Sequence, residues 1–262
     1  MANPIRKALA DQFIKGVGIE IGALHNPFPV PKNINLTYVD RLSQAELKKH
    51  YPELGNANFP YAVVDDGETL KTFKDSSLDF IIASHFIEHT QNPIGTLENF
   101  NRVLKLDGIA LLVIPDRRAT FDRERNPTSW EHVYADYKNG PQHSYEAHLN
   151  EWAALVEHAV DVQSRVDELR RIQYSIHFHV WTNHEFIYFL NKLVELMPLH
   201  VVHFQSVTDE MYAVLQKKSD KARPYDEGAY LINNLDVRQA VMRGQFSCGF
   251  EHWLKHGKYE NR

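Results

Sequence analysis

The chain carries a single cysteine, Cys248, in 262 residues. An internal disulfide is therefore excluded, and so is a metal cage built from several thiolates. That usage fits a reducing compartment. The N-terminal stretch MANPIRKALADQF has no apolar run before a cleavage-like site, so a cytoplasmic location is expected. No stretch approaches the roughly 18 apolar residues that a helix needs to cross a bilayer. Positive charge is not in excess either: the formal net charge is -5, which argues against a chain that binds by neutralising nucleic-acid phosphates. Internal repeats and low-complexity tracts are also missing.

What is present is an ordinary globular composition, 43% hydrophobic and 24% charged, in a length that suits one large domain or one domain with a modest appendage. The first half alternates short apolar runs with helical or turn-rich stretches, the rhythm of a parallel sheet with crossover helices, so the class is α/β. Strands are expected at Val17 to Ile21, Leu36 to Asp40, Tyr61 to Asp65, Leu78 to Ser84 and Ile109 to Ile114. The last two are nearly all apolar, as strands buried on both faces should be. A helix should begin near Pro93, turn Ile94, Leu97, Phe100, Val103 and Leu104 inward, and stop before Gly108. Another is expected from Glu185 to Leu196, then two apolar runs, His200 to Phe204 and Met211 to Leu215, that read as an antiparallel hairpin. Between Ala119 and Ile176 the rhythm breaks. That stretch is polar and aromatic, then helical from Glu146 to Arg171, and its length suits a substrate-covering insertion rather than a bare loop. The expected division is a main domain over 1–217, with 119–176 as the insertion, and a charged linker plus short helical segment over 218–262.

The most informative segment is GVGIEIGALHNPFPVP, Gly16 to Pro31. An apolar strand ends in Glu20 and runs into a turn of small residues, Gly22 and Ala23, where a ligand can approach the backbone closely. The following strand ends in Asp40, beside Arg41, a carboxylate placed to accept hydrogen bonds from ribose hydroxyls at the sheet edge. VVDDGETL then places Asp65 and Asp66 after the third strand. LDFIIASHFIEHTQNP places Ser84, His85, Glu88 and His89 after the fourth, and FNRVLKLDGIALLVIPD follows.

In these motifs the sequence resembles the class I S-adenosylmethionine-dependent methyltransferases, in particular bacterial type 11-like members, over residues 14 to 116 and again over about 182 to 217. The resemblance implies a doubly wound, mostly parallel seven-stranded sheet with an antiparallel last strand, and S-adenosylmethionine as cofactor. It implies cofactor contacts from Glu20, Gly22, Ala23, Asp40, Arg41, Asp65, Asp66, Ser84 and His85, with Glu20 facing the methionine end, Asp40 the ribose, and the Asp65, Asp66 pair the adenine. The turn Gly22, Ala23, Leu24, His25, Asn26 has one glycine where the family has several, so that loop should be shaped differently. A nucleotide-binding dehydrogenase would want the full glycine fingerprint, which is missing. The Tyr134, Lys138 pair at short-chain dehydrogenase spacing lies in the polar insertion without the helical context that chemistry needs.

The methyl acceptor is read from the insertion. PDRRATFDRERNPTSWEHVYADY, Pro115 to Tyr137, leaves the C-terminal end of the fifth strand, where ligands of open α/β sheets bind. Its acids, arginines and imidazole suit a hydroxyl-rich or carboxylated substrate, with Asp122, Arg125 and His148 as candidate substrate ligands. An oxygen nucleophile must lose its proton as the methyl transfers, and among the 15 histidines His132 and His179 lead as candidate bases, with Asp116 a third catalytic candidate. His177 and His179 alternate along HFHVW, which on a strand would put both on one face. With His132, Asp136, His143 or His148 they could hold a divalent metal. The ending FEHWLKHGKYENR resembles a short module found beside bacterial glycosyltransferases and polysaccharide enzymes. An amphipathic helix packing Phe250, Trp253 and Leu254 on the main domain explains the same residues. The resulting expectation is O-methylation of a sugar hydroxyl in polysaccharide assembly. A non-catalytic cofactor-binding partner of a glycosyltransferase, a quinone-like small-molecule acceptor, and a homo-oligomer all stay open.

Overall fold

The computed structural model describes residues 3–55, 57–222 and 225–260. Arg223 and Pro224 of the expected linker, and the final basic residue Arg262, lie outside them. Seven strands form one sheet in the order β3-β2-β1-β4-β5-β7-β6: β1 Val17–Ile21, β2 Asn35–Asp40, β3 Ala62–Val64, β4 Leu78–Ser84, β5 Leu104–Pro115, β6 Leu199–Val207 and β7 Glu210–Lys217. All neighbours are parallel except β7, which runs antiparallel to both β5 and β6. This is the doubly wound methyltransferase sheet expected from the sequence, hairpin ending included.

The sheet is central because its middle strands are apolar on both faces. Along β5, Ala110, Leu112 and Ile114 point into one core layer, and Ile109, Leu111 and Val113 into the other, the period-2 alternation of a strand covered twice. Helix α1 (Pro4–Phe13) supplies Leu9 and Ala10 to the second layer. Helix α2 (Gln44–His50) lies after β2 and opens with a Ser43, Glu46 capping box. Helix α3 (Pro93–Val103) starts where the Asn92 side chain accepts from Gly95 N–H with proline in the first turn, and it buries Ile94, Leu97, Phe100 and Val103. Leu104, expected at the end of this helix, is the first residue of β5.

The insertion contains α4 (Trp130–Asn139), α5 (Gln142–Leu155) and α6 (Val162–Ile172). Residues 146 to 171, expected as one helix, are two. Val156 to Asp161 break it, with His158 at φ 49 and Asp161 capping the new helix by accepting from Ser164 N–H. Helices α5 and α6 pack Leu149, Trp152, Val166 and Leu169 into a small core of their own with Ile176 and Phe178. The HFHVW segment is irregular rather than a strand; only Trp181 makes a bridge, to Asp116. Helix α7 (Asn183–Leu196) returns the chain to the sheet. Beyond it, α8 (Glu227–Asn233), α9 (Leu235–Met242) and α10 (Gly249–His252) fold back, and Phe250 and Leu254 enter the main core with Trp253 partly buried against it.

Candidate functional site

A cavity of about 490 Å³ opens where β1, β2 and β4 end, the side of an open α/β sheet on which ligands bind. Its first wall comes from motif residues. Gly22, at φ +66, starts the turn after β1 with its N–H bonded to Val39 O at 2.9 Å. Leu24 follows at φ 47 and lines the cavity in place of a second glycine. Glu20 lies beneath this turn, 1% exposed. Its Oε1 accepts from Phe28 N–H at 2.8 Å, while Oε2 has no hydrogen-bond partner among the described residues. Burial pushes the Glu20 carboxyl up to about 7, against smaller opposing effects of the Phe28 bond and Arg6. Asp40 lines the cavity from the end of β2, with Oδ1 accepting from Leu42 N–H at 3.2 Å; burial raises its pKa as well.

Asp66 and Gly67 line the same wall, whereas Asp65 turns away. The Asp65 carboxylate accepts from Thr72 N–H (2.9 Å) and Oγ1 (2.6 Å), which fixes the loop. Arg41 lines the cavity and reaches the backbone carbonyl of Gln173 in the insertion at 3.4 Å. A carboxylate at the second strand end, another after the third, and an orphaned buried carboxylate oxygen under the first turn form a donor set that fits a nucleoside bearing a cationic sulfonium.

The opposite wall is the turn after β4, residues 85 to 89, and the insertion residues Tyr145, Gln173, Tyr174 and Ser175, with Phe178 just beyond them. His85, at φ 51, pairs with Glu210 at 2.8 Å. Burial would lower its pKa, but the neighbouring carboxylates of Glu210 and Glu88 more than offset this and raise it to about 9. Glu88 is fully buried. Neither of its oxygens has a hydrogen bond among the described residues, and His85 Nδ1 stands 3.5 Å from Oε1. His89 Nδ1 faces the carbonyl of Ile176 at 2.9 Å and Ser175 Oγ at 3.1 Å. Burial, then the neighbouring His177, pull His89 down to about 4. Donor atoms of Glu88, His89 and His177 lie within 4.8 Å of one another.

Several expected site residues stand elsewhere. Asp122 and Arg125, read as substrate ligands, are each 1% exposed and committed to the wall's framework. Arg125 Nη1 donates to Asp122 at 2.9 Å and to the His177 carbonyl at 2.7 Å, and Asp122 meets His177 Nδ1 at 2.6 Å. Asp116, read as catalytic, caps a turn and is held by Arg118 at 2.6 Å. His132, His179 and His148 do not line the cavity; they gather around Asp136. His177 and His179, expected on one face, serve two separate clusters because their segment is not a strand. Ala23 and Ser84 are also outside the lining. Lys138 lies over the Tyr134 ring at 5.8 Å, away from the cavity.

Of the cavity residues, Tyr51, Tyr145 and Tyr174 carried no sequence signal, since each arrives from a loop or from the insertion, while Glu68 and Gln91 lay within VVDDGETL and SHFIEHTQNP without being singled out. His89 was visible within the SHFIEH motif, although it was not among the histidines read as candidate bases.

Residues 16–112 match the family described as a methyltransferase domain. Over 111 residues, 42% of this chain, the sequence is 30% identical to an uncharacterized protein of Methanocaldococcus jannaschii. The match spans about half the length of that relative, 50%. Among solved structures, the chain is similar to a SAM-dependent methyltransferase of Methanosarcina mazei, at 14% identity and TM-score 0.44 with 82% of this chain and 98% of that one covered. It is also similar to a Thermotoga maritima SAM-dependent methyltransferase described as a possible histamine N-methyltransferase, at 17% identity and TM-score 0.45 with 82% and 89% covered. The matched segment, residues 16–112, is similar to a methyltransferase domain, and the strand order is the doubly wound one expected of that fold. No helix among the described residues is long and apolar enough to cross a membrane.

Proposed function

We propose that the protein methylates a hydroxyl oxygen of a saccharide in the cavity between Asp40, Asp66 and His89. The observation that carries this reading is the polar groups on both walls: the carboxylates of Asp40, Asp66 and Glu68 face the imidazoles of His85 and His89 and the hydroxyl and amide groups of the insertion. An apolar quinone-like acceptor would want a largely apolar pocket. The tail's resemblance to segments found beside polysaccharide enzymes supports the same acceptor class, with a glycosyltransferase as partner.

When bound, S-adenosylmethionine supplies a methyl group already activated on sulfur, so the chain's task is positioning and proton removal. Asp40 would hold the ribose hydroxyls, Asp66 the adenine side, and Glu20 would lay negative charge beneath the turn. His89 would take the acceptor's proton. With its Nδ1–H donated to the Ile176 carbonyl, Nε2 keeps a lone pair, and a pKa of about 4 leaves the ring neutral near pH 7. The Glu88 carboxylate favours the charged ring that forms.

The test is release of S-adenosylhomocysteine with a panel of mono- and oligosaccharides, alongside calorimetric titration of the cofactor. His89→Ala is expected to lower turnover ~100-fold or more with cofactor affinity intact. Full turnover in that variant would remove His89 from proton transfer. Cofactor binding without turnover on any saccharide would favour the non-catalytic partner instead, and turnover confined to quinone-like acceptors would overturn the saccharide.

A further inference from the structure

Apart from the cavity, the insertion brings together a second group of donors. His132 and Asp136 lie one turn apart on α4, His148 comes from α5, and His179 from the segment leading to α7. Their donor atoms converge within 4.8 Å of one another: His132 Nε2 lies 3.0 Å from His148 Nε2, 3.3 Å from Asp136 Oδ2, and His179 Nε2 lies 3.1 Å from that same oxygen. We propose that these four side chains form a closed tetrahedral site for a divalent transition ion, zinc above others, which ties the insertion to the methyltransferase domain.

The distances are those of the figure the ion would need. Four ligands at ~2.0–2.1 Å from a tetrahedral zinc stand ~3.3 Å apart, close to the three separations observed. A purely hydrogen-bonded cluster accounts for them poorly. His179 Nδ1 points at the Thr90 carbonyl, 3.0 Å away; with the ring's one proton donated there, its Nε2 is a lone pair aimed at a carboxylate oxygen. Two acceptors face each other in a group where Asp136 and His179 are fully buried, and a cation between them removes the conflict.

The surroundings also have the form that metal sites take. A ligating histidine donates its other N–H to a carbonyl and a ligating carboxylate is itself held; here Thr90 serves His179, and Ser144 Oγ donates to Asp136 Oδ1 at 2.6 Å. Imidazole and carboxylate without thiolate suit zinc or a neighbour in its series. All four positions come from protein, which marks a structural rather than a catalytic site. Half-exposed His132 offers the entry path. Because Thr90 follows the turn that bears Glu88 and His89, while Phe178 beside His179 lines the cavity, the ion would hold the cavity's far wall in place. The inference rests on these four side chains and not on the acceptor proposed above.

The experiment is elemental analysis of the purified full chain, with cobalt(II) replacement followed by visible absorption. The expected result is one zinc ion retained per chain and intense tetrahedral cobalt bands. His148→Ala and Asp136→Asn should lose the ion, and His89→Ala should keep it. His132→Ala alters the exposed ligand and is the variant least disturbing to folding; it should weaken zinc binding at least ~10-fold with unchanged circular dichroism. The proposal is overturned if the chain neither retains nor binds zinc, or if cobalt gives a weak six-coordinate spectrum. It is equally overturned if the ion survives His148→Ala but is lost in His89→Ala, which would place it beside Glu88.

Discussion

At the end of β2, Asp40 is asked to do two things with one carboxylate: hold the turn through Leu42 N–H and present its remaining acceptor capacity to the cavity. Burial raises its pKa, so removing the side chain relieves the free protein of some desolvation while leaving a bound ribose without its acceptor. Asp40→Ala should therefore weaken S-adenosylmethionine binding by ~1–3 kcal/mol, read by calorimetry; an unchanged dissociation constant would take Asp40 out of the site. This residue was legible in the sequence because strand, acid and turn follow one another locally. His89 and the Asp136 group were only partly so. Whether a histidine is a base, a ligand or a wall depends on which nitrogen is already hydrogen-bonded, and those partners, Ile176 and Thr90, are distant in sequence.

At the scale of elements, the insertion behaves as a structural unit wired to the sheet rather than as a loose cover. Arg125 is its hub, 1% exposed, satisfied by Asp122, Glu151 (2.9 Å) and the carbonyls of His177 and Phe178. Substituting Arg125 by Ala would leave Asp122 buried beside His177 without its guanidinium. A stability loss of about 3–5 kcal/mol is expected in urea denaturation, and a loss under about 1 kcal/mol would mean the cluster is solvated. From sequence alone these charges read as substrate ligands, since composition marks a charge but not its burial. The break between α5 and α6 escaped notice for a related reason. VEHAVD contains neither glycine nor proline, and the turn is made by His158 adopting a left-handed conformation that a helical pattern does not advertise. The parallel α/β rhythm, by contrast, followed from the apolar runs, while the doubly wound seven-stranded sheet was what the resemblance implied.

For the molecule as a whole, a clasp joins α1, the turn after β4 and β7. Arg6 of α1 and His85 after β4 both pair with Glu210 at the start of β7, and Tyr212 also bonds to Glu210. His85 is raised from 6.5 to about 9, so its contribution to stability is complete below pH 6.5 and fades as pH rises through 9. Burial would raise the Glu210 carboxyl, but the bonds from His85, Tyr212 and Arg6 hold it from 4.5 down to about 2, so that contribution is lost only in strong acid. Thermal unfolding of wild type and Glu210→Gln should differ most near pH 6 and by less toward pH 9, where the Arg6 pair alone remains; a difference independent of pH would show that His85 adds no ionic stabilisation.

The position of β7 between β5 and β6 has a consequence for how the chain is made. Strand β5 is twelve residues long and largely apolar, yet the partner for its outer edge is not synthesised until residues 210 to 217. While the ribosome adds the intervening helices, the nascent polypeptide displays a long greasy edge with unpaired backbone groups, the template on which strands of neighbouring chains aggregate. The sheet is completed from its interior by the last of its strands in chain order, so fragments ending before residue 217 carry their stickiest strand uncovered.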